Sequence, residues 1–216
     1  MRKTILFAAA ICILLVKTAV SQSVDSAMIE AYSAFDSAKN YHQMLAASNQ
    51  FKLIEKQWPD NWLTNYYAAW STTVTTFLEP DKDKKDPMLD EADAYFKKIE
   101  PMDTTNDEVG VLGALIAGAR IAVAPTSRHS KYGKIADSFY EKVKKLNPNN
   151  PRMYYQQGNS LFYTPKLFGG GAEKALPLYE KAASLFPNDN KDIHKPHWGM
   201  KKNKEMIDQC HKKLDK

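Results

Sequence analysis

Residues of the types that bind metal ions gather near the C-terminus of this chain. They are His194, His197, Cys210 and His211, with two nearby aspartates, Asp189 and Asp192. The spacing of His194 and His197 could place both on one helix face, but Pro196 lies between them and disfavours regular helix. Cys210 and His211 are adjacent, so on a helix they point in different directions. Because a metal site needs converging ligands, we predict no metal site and expect solvated histidines beside a lysine-rich helix.

Two other kinds of chemistry are not supported by the residues present. Gly169 to Gly171 do not form a phosphate loop, because Lys174 is not followed by Ser or Thr and no predicted strand precedes the glycines. Acidic residues are common, yet no nucleophile, base and orienting group form a recognisable catalytic motif. The sequence therefore predicts a non-enzymatic protein with no catalytic residues and no cofactor.

A repeated spacing indicates the elements that position these residues. Alanine, an aromatic residue and proline recur in steps of four and eight positions, at Ala47-Phe51-Pro59, Ala136-Tyr140-Pro148 and Ala175-Tyr179-Pro187. A fourth copy keeps Ala92, Phe96 and Ile99 but has Thr104 in place of the proline. Small alanine lets two helices approach closely, and the aromatic lies on the same face one turn later. The proline and the Asn and Asp residues beside it end one helix and favour the start of the next, which predicts pairs of antiparallel helices.

This pattern resembles the tetratricopeptide repeat family, whose second helix has a small residue, an aromatic and a closing proline at these offsets. In the first helices, Gly158 stands at the family's glycine position, and aromatics lie near the expected places at Tyr66, Tyr67, Trp70, Tyr154 and Tyr155. The resemblance implies an all-α fold, a right-handed superhelical solenoid of about four helix pairs plus a C-terminal capping helix. It implies units at about 24–59, 60–104, 105–148 and 149–187, and a cap at about 196–214.

The units are longer than the family standard. The four repeated alanines are 45, 44 and 39 positions apart, against about 34 residues in a standard unit. We expect the extra residues in loops between paired helices, at 79–87, 125–133 and 164–171, where they would form a shared rim. Whether this rim binds a partner stays open. Leu167 and Phe168 are expected to fold back onto the helices.

The first 21 residues predict export. Arg2 and Lys3 precede an apolar run over 5–16, and Ala19-Val20-Ser21 provides the small residues that a signal peptidase reads. We predict cleavage between Ser21 and Gln22, which leaves a single repeat domain over 22–216 in the periplasm or outside the cell. The run is too short to span a bilayer, so we expect no membrane span after cleavage.

Charge and cysteine content narrow the function classes. Without its first 21 residues the chain has 27 basic and 25 acidic residues, which does not indicate nucleic-acid binding. Only Cys210 remains, so no disulfide framework is expected. A packed array of this length buries enough surface without disulfides, and we expect a monomer.

The predicted helix over 106–124 is apolar around most of its circumference, which is typical of a helix buried in the middle of a protein. Gly110, Gly113 and Gly118 interrupt it. Glycine destabilises a helix by about 1 kcal/mol, so close contact with a neighbouring helix is the expected compensation. Arg120 lies in this helix and has two interpretations: the favoured one is that it extends to the surface, and the other is that it pairs with an acid or an acidic ligand in a pocket.

The first helices of such a superhelix line its inner, concave surface. Alignment of the units places seven candidate partner-binding residues on that face: Tyr32, Asp36, Tyr66, Trp70, Arg152, Tyr155 and Asn159. Aromatics with Arg and Asn often supply binding energy at interfaces, although aromatics here also fill space between helices. Gly158-Asn159 resembles the pair that clamps a peptide carboxylate in some repeats, but the second unit has Ala69-Trp70, so we do not assign a clamp.

Two functions fit this sequence. The favoured one is an exported scaffold or adaptor that binds a protein or peptide partner in the cell envelope, which requires exposed inner aromatics and an open groove. The alternative is a small-molecule-binding component of a transport system, with a pocket around the third unit and Arg120.

Overall fold

Nine α-helices make up most of the described part of the chain. The computed structural model describes residues 23–189, 192 and 194–215, and the predicted signal peptide lies outside these ranges. The helices are α1 (Val24–Ser37), α2 (Tyr41–Gln57), α3 (Trp62–Thr76), α4 (Lys82–Ile99), α5 (Asp107–Val123), α6 (Pro125–Leu146), α7 (Pro151–Tyr163), α8 (Ala172–Leu185) and α9 (Met200–Leu214). Short 3-10 turns lie at Lys166–Phe168 and Phe186–Asn188. Within the described ranges there is no β-strand.

The helices pack in successive pairs. α1 packs on α2, α3 on α4, α5 on α6 and α7 on α8, and α9 covers the outer side of the last pair by packing on α8. The chain is therefore an all-α solenoid, as the repeated spacing predicts.

The repeated alanine and aromatic positions explain this packing. Ala47 and Phe51 of α2 are buried, as are Ala92 and Phe96 of α4. The equivalent positions of α8, Ala175 and Tyr179, are fully buried. Because each pair lies one helical turn apart on one face, it forms the stripe that each second helix presents to its neighbours.

Asparagine side chains begin the first helices where the sequence predicts a boundary. Asn61 accepts hydrogen bonds from the backbone N–H groups of Leu63 and Thr64, and Asn150 accepts one from Met153. Asn106 caps α5 in the same way. These bonds satisfy N–H groups that have no partner within the helix.

α5 is the buried central helix that its composition predicts. Its residues from Glu108 to Ala114 are all buried. A Cβ at Gly110 would lie 2.7 Å from Val143 of α6, and one at Gly113 would lie 2.6 Å from the Phe139 ring. Glycine at these two positions is thus required by the close approach of α6. Gly118 has no such neighbour within 4 Å.

Two of the three expected loops are helical instead. Asp81 caps α4 by accepting from the N–H of Asp83, so the helix begins at Lys82 and contains Pro87. α6 begins directly at Pro125, because proline suits the first helical position. The extra residues of these units therefore lengthen helices. Only 164–171 is a true loop, and there Leu167 and Phe168 are exposed and do not fold back.

The turns inside the pairs share one edge of the solenoid. Arg152 of α7 bonds to Glu108 of α5, and Gln156 bonds to the carbonyl of Val111, so both contacts advance in the same direction along the two helices. α4 runs antiparallel to α3 and α5, since its first half contacts Arg120 near the end of α5. α3, α5 and α7 therefore run parallel, and the turns that follow them, at 77–81, 124 and 164–171, lie on one side, here called the turn edge.

Among the helices described, none combines the length and the apolar character that crossing a membrane would require.

Candidate functional site

The structure places the seven predicted inner-face residues on three first helices. Tyr32 and Asp36 lie on α1, Tyr66 and Trp70 on α3, and Arg152, Tyr155 and Asn159 on α7. Most of them gather around one side chain that the prediction did not include, Trp198, in the segment before α9. Two lie further out: Asp36 accepts from Lys201 at 3.3 Å, and Asn159 accepts from the Tyr179 hydroxyl at 2.8 Å.

Trp198 fills the inner face between α3 and α7. Its Nε1 donates to the Tyr66 hydroxyl at 2.9 Å, and its ring stacks on Trp70 with centroids 5.7 Å apart. The Arg152 guanidinium lies over the same ring at 5.8 Å, and Tyr155 meets it edge-on at 6.3 Å. These five residues are called the Trp198 cluster below. The chain's own C-terminal segment thus covers the inner aromatics, which corrects the expectation of an open groove with exposed rings.

Arg152 joins three parts of the chain within this cluster. Its Nε donates to Glu108 of α5 at 2.8 Å, and its Nη1 donates to Asp189 at 2.6 Å and to the Trp198 carbonyl at 3.4 Å. Burial alone would lower the pKa of Arg152, but the attraction of Glu108 and the hydrogen bonds to Glu108 and Asp189 together raise that pKa above its ordinary value. The guanidinium therefore stays charged, paired and hydrogen-bonded in a buried place.

The phenols of the inner face are neutral hydrogen-bonding groups. Burial, helped by Asp36, raises the pKa of Tyr32 to about 12, and burial raises the pKa of Tyr66 well above its ordinary value. Tyr66 donates to Glu108 at 3.3 Å, and the Tyr67 hydroxyl accepts from the backbone N–H of His197 at 3.0 Å. None of these phenols is activated for catalysis, since a raised pKa disfavours the phenolate.

One buried donor of the cluster has no partner within the described residues. The indole Nε1 of Trp70 is inaccessible to solvent and makes no hydrogen bond there. Burying such a donor costs about 1–3 kcal/mol unless a partner is supplied.

A second candidate site is a cleft between α4, α5 and α6. Its volume is about 140 Å³, and its walls are mostly apolar. The lining residues come from α4 (Asp93 and Phe96), α5 (Gly113, Ile116, Ala117 and Arg120) and α6 (Tyr132, Ile135 and Phe139). This cleft lies in and beside the third helix pair, where the sequence placed the pocket of the small-molecule alternative.

Arg120 pairs with acids at the mouth of this cleft. Its Nη2 lies 2.5 Å from Asp90 and 2.6 Å from Asp93, and its Nη1 lies 3.1 Å from Asp86. Of its two interpretations, pairing with acids is therefore correct. Burial alone would lower the pKa of Arg120, but the hydrogen bonds to Asp93 and Asp90 outweigh it and keep that pKa above its ordinary value. The Asp90 side chain is 72% exposed, so one of the three carboxylates is held mainly by this arginine.

The metal-type residues near the C-terminus do not converge. Cys210 is buried against α8, whereas His211 is exposed. His194 approaches Asp25 at 3.7 Å, and His197 faces the Tyr32 ring with centroids 6.4 Å apart. In the part of the chain that is described, no group of three or more His, Cys, Asp or Glu residues is arranged to hold a metal ion.

The sequence did not reveal Trp198 or Glu108, the partner of Arg152. Trp198 lies in an aperiodic stretch between Pro196 and Gly199, so no repeat register assigns it to a face. The one sequence signal that could have pointed to it is a tryptophan near Pro196 and Gly199, outside the repeats. Glu108 has no sequence signal beyond being an acidic residue in the first turn of α5.

Comparison with protein families found no family that matches this sequence. Comparison with curated proteins found no match either. Among solved structures, the chain is similar to the HusA haemophore from Porphyromonas gingivalis, with a TM-score of 0.74 and 28% sequence identity. The match covers 89% of this chain and 94% of that one, so the similarity extends over nearly the entire solenoid.

Proposed function

We propose that this chain is an exported, non-enzymatic binding protein whose ligand is a small, largely apolar molecule of the haem class. The observation that carries the proposal is the similarity to the HusA haemophore over 89% of this chain, at 28% identity. A haemophore is a binding protein rather than an enzyme, and a similarity of this extent supports the small-molecule alternative over the adaptor.

The cleft between α4, α5 and α6 is the site that we propose for this ligand. A flat macrocycle needs apolar surface on its faces, and Phe96, Ile116 and Phe139 provide it. A volume of about 140 Å³ is smaller than the roughly 300 Å³ at which small-molecule pockets begin, so the ligand would enter by one edge. Tyr132 lines the cleft and has a side-chain type that ligates haem iron.

Arg120 would bind an acidic group of the ligand. Its three aspartate partners share two guanidinium groups, because Asp86 also pairs with Arg128, and the Asp90 side chain is 72% exposed. Asp90 would turn into water at little cost, because solvent hydrates its carboxylate. A ligand carboxylate would then take its place at Nη2 in a charge-assisted hydrogen bond.

Titration of the purified protein with haemin, followed by its visible absorption, tests this proposal. We expect a saturable spectral change, and an Ile135→Trp variant should bind about tenfold more weakly or worse, since the larger ring occupies the mouth of the cleft. A Ser138→Trp variant is the matched control, because Ser138 is an exposed residue of the same helix and does not line the cleft.

Two results would contradict it. Absence of any saturable change would reject the ligand class. Unchanged affinity in I135W, with the same helical circular dichroism as the original protein, would show that the ligand binds elsewhere.

The adaptor function is the second candidate, with the predicted inner-face residues as its proposed site. Two observations favour it: an extended segment of this chain already lies along the inner face, and Trp70 Nε1 has no partner among the described residues. A partner segment would have to displace Trp198 and supply an acceptor to Trp70. Two further proposals apply to either function: the chain is related to tetratricopeptide repeats, and it is located in the periplasm after cleavage of its signal peptide.

A further inference from the structure

The end of α7 and the loop that follows it expose three large apolar or aromatic side chains. Tyr163 is 72% exposed, Leu167 is 88% exposed and Phe168 is 75% exposed. Leu167 and Phe168 therefore contribute almost nothing to the core. Contiguous exposed apolar side chains of this size usually mark an interaction surface.

The loop is held in this shape by its own backbone. Phe168 N–H donates to the Pro165 carbonyl at 2.9 Å, Gly169 N–H donates to the Lys166 carbonyl at 3.0 Å, and Gly171 N–H donates to Leu161 at 2.8 Å. Gly169 and Gly171 have φ of 82° and 107°, values that side chains with a Cβ rarely adopt. A Cβ at Gly170 would lie 2.2 Å from the Thr164 carbonyl. The glycines thus fix a turn that presents Leu167 and Phe168 to solvent.

Lysines from two segments of the chain lie near this apolar tip. Lys166 is part of the loop, and the end of α9 lies beside it, since Lys213 Nζ lies 4.2 Å from the Phe162 ring. Lys212 precedes Lys213 and is exposed. Leu214, the last residue of α9, is 42% exposed and extends the apolar surface.

The turn edge carries a second exposed apolar pair. Phe77 and Leu78 follow α3 and are 45% and 47% exposed. Because the turns after α3 and α7 lie on the same side of the solenoid, the two pairs belong to the same edge. One edge of the molecule therefore combines apolar side chains at two turns.

We infer that the tip formed by Tyr163, Leu167 and Phe168 docks on an anionic lipid surface. A protruding apolar tip with lysines beside it suits the boundary between lipid headgroups and acyl chains, where tyrosine also partitions well. Lysines near anionic headgroups add about 1 kcal/mol each. The inference uses none of the cleft residues and is independent of the haem-class ligand.

Co-sedimentation with lipid vesicles tests this inference. The purified protein should sediment with vesicles of equal parts phosphatidylcholine and phosphatidylglycerol, and much less with phosphatidylcholine alone. A Leu167→Ser/Phe168→Ser variant should bind about tenfold more weakly or worse, because the side chains that enter the apolar region are lost. A Leu53→Ser variant is the matched control, since Leu53 is 58% exposed on α2, near the edge opposite the turns.

The charge requirement has its own variant. Lys166→Glu/Lys212→Glu should weaken binding to the phosphatidylglycerol vesicles and leave the weak binding to phosphatidylcholine unchanged, and added salt should reproduce that loss. The inference is overturned if the protein stays in the supernatant with both vesicles, or if the L167S/F168S variant sediments like the original. Loss of cross-linking to an envelope protein in L167S/F168S, without any vesicle binding by the original, would overturn it in favour of a protein surface.

Discussion

Two arginines occupy contrasting positions in this solenoid. Arg152 is buried together with its partner Glu108, and it also bonds to Asp189 and lies against the Trp198 ring. Arg120 is also buried, though less deeply, and its three aspartate partners stand at the surface beside an apolar cleft. The first arginine has partners from three parts of the chain, whereas all three partners of the second belong to α4.

The surroundings of Arg152 suit a role in stability, whereas those of Arg120 suit a role in binding. Removal of either Arg152 or Glu108 would leave the other charge buried without its partner, which costs several kcal/mol of stability, about 3–5 kcal/mol for a typical buried pair. The carboxylates around Arg120 can turn to water, so a ligand can compete for this guanidinium at low cost. Under the proposed function, the Trp198 cluster would hold the array together, and the cleft would exchange with a ligand.

Removal of each arginine is the strongest test of this difference. Arg152→Ala should lower the free energy of unfolding by about 3–5 kcal/mol, because Glu108 remains buried without its partner. Arg120→Ala should lower it by about 1–2 kcal/mol, since its partners become hydrated. Urea denaturation followed by circular dichroism measures both.

Arg128→Ala is a surface control, because Arg128 pairs with Asp86 in a more exposed place, and the change should be below about 1 kcal/mol. Equal losses for R152A and R120A would remove the distinction between the two sites.

A more conservative substitution tests the hydrogen bond of Trp198. Trp198→Phe keeps an aromatic ring next to Trp70 but removes the Nε1 donor to Tyr66, so we expect a loss of about 1–2 kcal/mol. The same urea denaturation, with Trp62→Phe as control for the loss of an indole, checks the value. No loss of stability in W198F would mean that the hydrogen bond contributes nothing and that ring packing alone closes the inner face.

The smallest expected effect is a pH dependence at the cleft. The hydrogen bond from Arg128 lowers the pKa of Asp86, burial opposes this, and the charges of Arg128 and Arg120 add to the lowering. A carboxylate with a lowered pKa stabilises the fold fully above its ordinary pKa of 3.8, and that contribution is lost as the pH falls through the lower folded value. The melting temperature of the original protein should therefore fall more between about pH 5 and pH 2 than that of Asp86→Asn. Parallel melting curves for the two proteins would contradict this.

Much of the fold follows from the sequence because its determinants are local. The Ala and aromatic steps predict which faces of the second helices are buried, and Asn61 and Asn150 predict where first helices begin. The apolar composition of α5 predicts its central place. The lengths of the turns were harder to predict, because proline can either end a helix or occupy its first turn. Here Pro87 lies inside α4 and Pro125 begins α6, so neither ends a helix.

The candidate sites were only partly predictable because their chemistry depends on long-range contacts. Register placed Tyr66, Trp70 and Arg152 on one face, and the structure does bring them together. Nothing local indicates that Trp198 returns to cover them, because the stretch before α9 has no periodicity. The three aspartates that bind Arg120 lie on α4, about 30 positions earlier in the chain. In the sequence, the charged residues around them are typical of a solvent-exposed helix face.

The return of Trp198 to the inner face changes how the array should unfold. In a linear repeat protein each unit contacts only its neighbours, so the ends open first and stability adds up unit by unit. Here Trp198 bonds to Tyr66, which is 132 positions away, and Lys201 reaches Asp36 over 165 positions. Release of the segment that contains Trp198 would expose Tyr66 and Trp70 of α3, so we expect fraying of the C-terminal end to be coupled to the N-terminal half. Folding must close a loop of this length, so we expect it to be slower than in other helical arrays, and we expect unfolding as one cooperative unit.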